Sequence, residues 1–234
     1  MGNNTITKKI VVLTGAGMSA ESGISTFRDS DGLWEQYRVE DVATPEAFAK
    51  DPALVLEFYN QRRKQLLECH PNGGHYGLAA LEKNFDVQII TQNVDNLHER
   101  AGSTKVLHLH GELMKVCAVD DLQTTYELTA ENPVIHVGDT DTRGKQLRPF
   151  IVWFGEAVPM IEPAIGFVQE SDILVIIGTS LQVYPAAGLL NYARNGQPVY
   201  LIDPKPVATY RQGVHFIQAG ASDGVKQLIS LLDK

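Results

Sequence analysis

Cysteine and tryptophan are scarce in this 234-residue chain, with two of each, and neither Cys69 nor Cys117 has a second thiol close by in the sequence. Two thiols are too few for the disulfide framework of a small secreted domain. No segment approaches the ~18 consecutive apolar residues that a membrane-crossing helix requires. The opening MGNNTITKK has no apolar run of the export type, and Ile6 stands where an N-terminal acylation pattern wants a hydroxyl. Positive charge is also short, 20 Lys and Arg against 28 Asp and Glu, a formal charge of -8. Nucleic-acid binding needs clustered cations, so no nucleic-acid partner is expected. Arg62, Arg63 and Lys64 form a short basic run, which reads as the solvated face of a helix. These absences point to a cytoplasmic globular protein with no membrane partner.

What is present is a core. Hydrophobic residues make up 44% of the chain, enough for one sizeable globular unit. Apolar runs recur at 87–91, 106–109, 150–154, 173–178, 199–202 and 214–217, with helical patterns at 73–83, 163–170, 185–195 and 222–232 between them. Together with Ile10–Thr14, this alternation predicts an α/β fold, a doubly wound, Rossmann-like parallel sheet whose ligands sit beyond the carboxyl ends of its strands. Residues 29–72, mostly helical, and 111–150, polar and irregular, interrupt it. They are expected to form a smaller lobe against a large lobe of 1–28, 73–110 and 151–234.

The strand Ile10–Thr14 runs into Gly15, Ala16, Gly17 and Ala20, a G-x-G-x-x-A turn. Such a turn allows close backbone approach and can offer helix N-terminal amides to a pyrophosphate. Alone it is equally an ordinary chain reversal. A dehydrogenase would next show a strand ending in an acidic residue about 20 residues on. Residues 27–48, FRDSDGLWEQYRVEDVATPEAF, are polar and turn-rich instead, so any dinucleotide is gripped differently.

Five motifs, GAGMSAESGISTFR (15–28), TQNVDNLHERAG (91–102), HLHGEL (108–113), VWFGE (152–156) and GTSLQVYPAA (178–187), resemble in order those of the sirtuins, NAD-dependent protein-lysine deacylases. Ser25 stands where that family usually has proline, and Val94 where it often has isoleucine. The resemblance implies NAD as a consumed co-substrate and acylated lysines of proteins as partners. It implies an NAD site of Gly15, Ala16, Gly17, Ala20, Thr26, Phe27, Arg28, Trp34, Gln92, Asn93, Val94, Asp95, Gly178, Thr179, Ser180, Asp203 and Ala221. Gln92 and Asn93 would meet the nicotinamide ribose, and Asp95 the carboxamide. Read without the family, Asn93 and Asp95 equally suit caps for a helix starting near Asn96.

His108 and His110 alternate on an expected strand closed by Gly111, and a histidine pair so spaced is commonly a core feature. By resemblance the histidine before glycine, His110, is the general base, with Asn93 and Asp95 beside it in catalysis; His108 receives no role. The implied reaction gives free lysine, nicotinamide and O-acyl-ADP-ribose. Val152, Phe154, Gly155 and Glu156 would form a peptide-binding edge, their amides pairing with an extended substrate. Tyr59 and Arg62, three apart on a helix, match the Tyr-x-x-Arg of the sirtuin branch that removes succinyl and malonyl groups. Both acetyl and acidic acyl substrates are therefore expected.

Most sirtuins hold zinc in the small lobe with four cysteines. Here Cys117 stands alone in that region, and His136, Asp139 and Asp141 read as residues of solvated turns. No metal is expected, and Leu122, Tyr126, Leu128, Val134 and Ile135 are expected to supply apolar support instead. An ADP-ribosyltransferase, an NAD glycohydrolase and a non-catalytic NAD-binding module stay open as other readings of the same motifs.

Overall fold

The structure, a computed structural model, describes residues 7–24 and 37–233. Six parallel strands form the main sheet: β1 (Lys9–Thr14), β2 (Asp86–Thr91), β3 (Val106–His108), β7 (Ile173–Ile177), β8 (Val199–Ile202) and β9 (Val214–Ile217), in the spatial order β3-β2-β1-β7-β8-β9. Their order reverses between β1 and β7, where an open α/β sheet opens a ligand crevice. Register sets Thr14 beside both Thr91 and Ile177, so the loops after β1, β2 and β7 leave the sheet at one level. Residues 10–14 are all buried, as an apolar strand covered on both faces requires.

Each face carries its own core. Val12, Ile89, Val175 and Ile202 pack under α5 (Gly73–Leu81) and α8 (Ala221–Leu232). Val11, Leu13, Leu174 and Ile176 pack under α7 (Ile161–Glu170) and a 3-10 helix, Ala186–Tyr192. Asn72 caps α5 by accepting from the amides of Gly74 and His75, while the His75 ring accepts from the Asn72 amide, a reciprocal capping box.

A third core lies off the sheet. It joins α2 (Val39–Val42), α3 (Pro45–Lys50) and α4 (Pro52–Glu68) to a three-stranded antiparallel sheet of β4 (Gly111–Ala118), β5 (Asp121–Glu127) and β6 (Leu147–Ile151), ordered β5-β4-β6. Both α3 and α4 begin with proline after a capping side chain, Thr44 accepting from the Ala47 amide and Asp51 from Leu54. Among the described residues the remaining α-helices are the single-turn α1 (Gly17–Ala20) and α6 (Leu97–Arg100).

Several sequence expectations change here. The run 150–154 is not a strand of the parallel sheet: β6 ends at Ile151 and pairs with β4. Residues 111–150, expected to be irregular, contain most of the antiparallel sheet. Ile151 and Trp153 belong to the third core, so the run after position 151 is shared with the helical segment. Leu122 and Val134 face solvent, whereas Ile135 is buried and Tyr126 and Leu128 pack at the edge of that core.

Arg63 is fully buried rather than solvated, its Nε donating to the Leu113 carbonyl (2.8 Å) and a terminal nitrogen to Asn60 Oδ1 (2.6 Å). Asn60 also exchanges hydrogen bonds with the backbone of Ile135 (3.0 and 3.1 Å), joining the helix to the segment between β5 and β6. At the far side Asp141 organises a turn by accepting from the amides of Arg143 and Lys145 (2.8 and 2.9 Å) and from Arg143 Nε (2.8 Å). Arg143 reaches on to Asp120 at 3.0 Å. These polar links, with the apolar cluster, hold the small lobe.

Candidate active site

The crevice between the ends of β1 and β7 is built by glycine contact. A Cβ on Gly17 would lie 2.7 Å from the Gly178 Cα, and one on Gly178 would lie 2.4 Å from the Met18 nitrogen. Only glycine allows the two loops to touch. The amides of Gly15 and Gly17 donate to the carbonyls of Ile177 and Gly178 (3.0 and 2.9 Å), so these two stitch the loops together rather than present themselves to a phosphate. Gln92 at the end of β2 donates to Thr179 Oγ1 (3.2 Å), linking the β2 and β7 loops. Ala16, Gly178, Thr179 and Ser180 are half-buried along this line.

Beside it lies a buried polar cluster. Ser19 donates to Asp95 Oδ2 (2.9 Å) and accepts from Asn93 Nδ2 (3.0 Å). The other Asp95 oxygen accepts from the Leu97 amide (3.1 Å), so Asp95 caps α6 and faces the site at once. Burial raises the Asp95 pKa above the usual carboxylate value, against the Leu97 and Ser19 hydrogen bonds and the charge of His108. Beneath, Thr14 donates to Thr91 Oγ1 (2.9 Å) and meets His98 Nε2 (3.1 Å), while Thr91 Oγ1 accepts from the Asn93 amide (3.0 Å). Ser19, Thr14, Thr91 and His98 are not singled out by the sequence motifs; their positions inside or next to them were the available signal.

β3 ends at His108 and Gly111 opens β4 with φ +82°, so Gly111 starts a strand where it was expected to end one. His110 Nδ1 lies 3.1 Å from the Gln92 carbonyl, and His108 Nδ1 lies 3.1 Å from that of Asn93. A carbonyl can only accept, so His110 carries its proton on Nδ1 and keeps a lone pair on Nε2. Burial lowers the His110 pKa, with the Gln92 bond opposing.

Trp153 ties α4 to the segment after β6. Its Nε1 donates to the hydroxyl of fully buried Tyr59 (3.0 Å), and the Arg148 guanidinium lies 3.4 Å from its ring centroid. Arg148 holds Glu156 in a two-pronged ion pair (2.7 and 3.0 Å), and Glu156 also accepts from the Trp153 amide (2.7 Å). The Arg62 guanidinium lies 5.8 Å from the Tyr59 ring centroid and 5.7 Å from that of Phe58. Burial lowers its pKa, with Tyr59 and Asp95 opposing, so Asp95 is close enough to be felt.

Other expected positions are less engaged with the crevice or already committed. The Val152 and Phe154 amides donate to the carbonyls of His110 and Ala43 (both 3.0 Å), and that of Glu156 to Trp153 (3.0 Å). These amides are therefore not offered to an extended peptide, although Phe154 and Gly155 are exposed. Val94 packs against the third core, and the Ala221 side chain is buried in the first. Asp203 is half-buried and accepts from the Lys205 amide (2.8 Å), and Ala20 is exposed. Thr26, Phe27, Arg28 and Trp34 lie outside the described residues.

Among the described residues the two thiols do not assemble a zinc donor set. Burial raises the Cys117 thiol to about 11, and Cys69 closes α4. Among the described residues no three His, Cys, Asp or Glu side chains gather as a metal site.

Residues 15–185 match the Sir2 family. The chain is 63% identical over 229 residues to an NAD-dependent protein deacylase of Bacteroides thetaiotaomicron, covering 96% of this chain and 98% of that one. It is 45% identical over 230 residues to an NAD-dependent protein deacylase of Vibrio cholerae, covering 95% and 92%. The crystal structure of a Sir2 homologue with NAD superposes with a TM-score of 0.85 at 38% identity, covering 97% of this chain and 90% of that one. A Sir2 complex with a p53 peptide and NAD+ gives 0.78 at 28% identity, covering 97% and 95%.

Proposed function

From the premise that the chain belongs to the Sir2 family and is an NAD-dependent protein-lysine deacylase, we propose roles for its residues. His110 is the general base. The observation that carries this is its Nδ1 set against the Gln92 carbonyl, which leaves Nε2 free to take a proton, while a lowered pKa keeps the ring neutral near pH 7. Bound NAD supplies a ribose carbon whose bond to nicotinamide is exchanged for one to the acyl oxygen. Gln92 and Asn93 hold the ribose and Asp95 the carboxamide; Ser19 keeps Asn93 and Asp95 in place, the Thr91 hydroxyl holds the Asn93 amide, and Gln92 is tied to Thr179. The segment from Gly15 to Ala20, with Gly178, Thr179, Ser180 and Asp203, lines the rest of the dinucleotide site.

The acyl pocket is read as accepting acidic groups as well as acetyl. Support comes from Arg62 against the Tyr59 ring, close enough to Asp95 to feel its charge. A guanidinium shielded from water binds a carboxylate strongly. Exposed Phe154 and Gly155 are read as contacts for the substrate peptide. The enzyme is also read as zinc-free, on the single thiol of its small lobe, and as cytoplasmic, on two buried free cysteines.

Matched acetyl- and succinyl-lysine peptides test the pocket. Arg62→Met should lower kcat/KM for the succinyl peptide about tenfold or more, the value of one charge-assisted hydrogen bond, and change the acetyl reaction much less. Equal losses on both peptides would remove Arg62 from acyl selection. Elemental analysis near one zinc per chain would overturn the metal-free reading.

A further inference from the structure

His108 is the more tightly held of the two histidines, with a partner at each ring nitrogen where His110 has one. Its ring is nearly buried, with Nδ1 3.1 Å from the Asn93 carbonyl and Nε2 2.8 Å from Glu99 Oε1 on α6. Neither partner can donate: a carbonyl only accepts, and so does an ionised carboxylate. Both ring nitrogens must therefore carry hydrogen, which makes the ring an imidazolium. The same backbone carbonyl belongs to the residue whose side-chain amide donates to Ser19, which in turn donates to Asp95.

We infer that His108, protonated and held by Glu99, is a positioning residue that fixes Asn93 for the NAD ribose, and that loss of its proton loosens NAD binding. The inference rests on the reading of Asn93 as an NAD contact. A neutral ring can satisfy one of its two acceptors but not both. If hydrogen stays on Nδ1, lone pairs of Nε2 and Glu99 face each other; if it stays on Nε2, Nδ1 repels the Asn93 carbonyl.

The charged surroundings agree. Burial pulls the His108 pKa down, but the hydrogen bond and charge of Glu99, then the charge of Glu112 on β4 and the Asn93 carbonyl, outweigh it and leave it raised. Asp95 is stabilised by the His108 charge, and buried His98 is disfavoured from protonating by it. Loss of the His108 proton therefore falls above the ordinary histidine value of about 6.5. His110 titrates below that value and does not share the window.

NAD affinity measured by calorimetry between about pH 7 and pH 9 separates the possibilities. Wild-type protein should lose affinity about fivefold or more across this range, a fraction of one charged hydrogen bond passed to the ligand. Glu99→Gln should flatten the profile, because a glutamine amide can donate to Nε2 of a neutral ring whose Nδ1–H stays on Asn93. His108→Ala should bind weakly at every pH, with no slope. Should that variant not fold, the Glu99→Gln profile decides alone. A wild-type profile that is flat, or a Glu99→Gln profile as steep as wild type, would overturn the inference while leaving the NAD site standing. Wild-type protein that binds no NAD at any pH would overturn the site reading and this inference with it.

Discussion

Replacing Ser19 with alanine removes one oxygen that serves two site residues at once. Ser19 is 1% exposed, donates to Asp95 at 2.9 Å and accepts from Asn93 at 3.0 Å. Each partner left unpaired in a dry site costs about 1–3 kcal/mol, more where the group is charged, so the loss should be about 3 kcal/mol. For a chain of this size that lowers the melting temperature by about 8 °C. Asp95, already shifted up by burial, loses one of the bonds that hold its pKa down and moves closer to neutral. Catalysis should suffer beyond stability, because Asn93 loses its anchor, and kcat/KM for deacylation should fall at least about tenfold at a temperature where the variant is folded. Urea unfolding and peptide turnover measure the two effects separately. A stability change under about 0.5 kcal/mol with unchanged kcat/KM would refute the claim that Ser19 organises the site.

Three further outcomes follow from buried or paired charges. Burial lowers the His75 pKa to about 4 and that of neighbouring His98 well below the ordinary histidine value, and His75 Nε2 and His98 Nδ1 have no hydrogen-bond partner. Both pKa values are depressed, so this stability is complete above about pH 6.5 and declines as pH falls toward 4, by about 3 kcal/mol for His75 alone. His75→Gln, which keeps a capping-box side chain, should make thermal unfolding less acid-sensitive; an unchanged acid slope would remove His75 from the account. Arg148→Met should cost about 3 kcal/mol in urea unfolding, since it strands Glu156 and uncovers the Trp153 ring, and a loss below about 1 kcal/mol would show the pair to be dispensable. Asp141→Asn should lower the melting temperature and make it less sensitive to added salt, while a chelator leaves wild-type unfolding unchanged; chelator-induced melting would point to a metal in the small lobe.

The main sheet was legible because β1, β7 and β8 are buried on both faces and so appear as unbroken apolar runs. The run 150–154 misled for the same reason: Ile151 and Trp153 are apolar because they enter the third core, not because they continue a parallel strand. β5, with its exposed Leu122 to Thr125, carries no apolar alternation and is held by pairing with β4, which no local pattern announces. Arg63 looked like a surface cation because its partners, Asn60 and the Leu113 carbonyl, come from three and 50 positions away. In the site, the residue types at each motif were readable, but their shared dependence on Ser19 was not. Nor could the sequence tell that the Gly15 and Gly17 amides are spent on the β7 loop. Such contacts arise between segments that meet only when the sheet closes.

The most direct test follows the mass of an acetyl-lysine peptide and nicotinamide release together, in wild-type protein and in His110→Ala. One nicotinamide should be released for each acyl group lost, dependent on NAD, and both should fall at least about a hundredfold in the variant with its fold intact. Nicotinamide released with no change in peptide mass, or turnover surviving in His110→Ala, would contradict this reading.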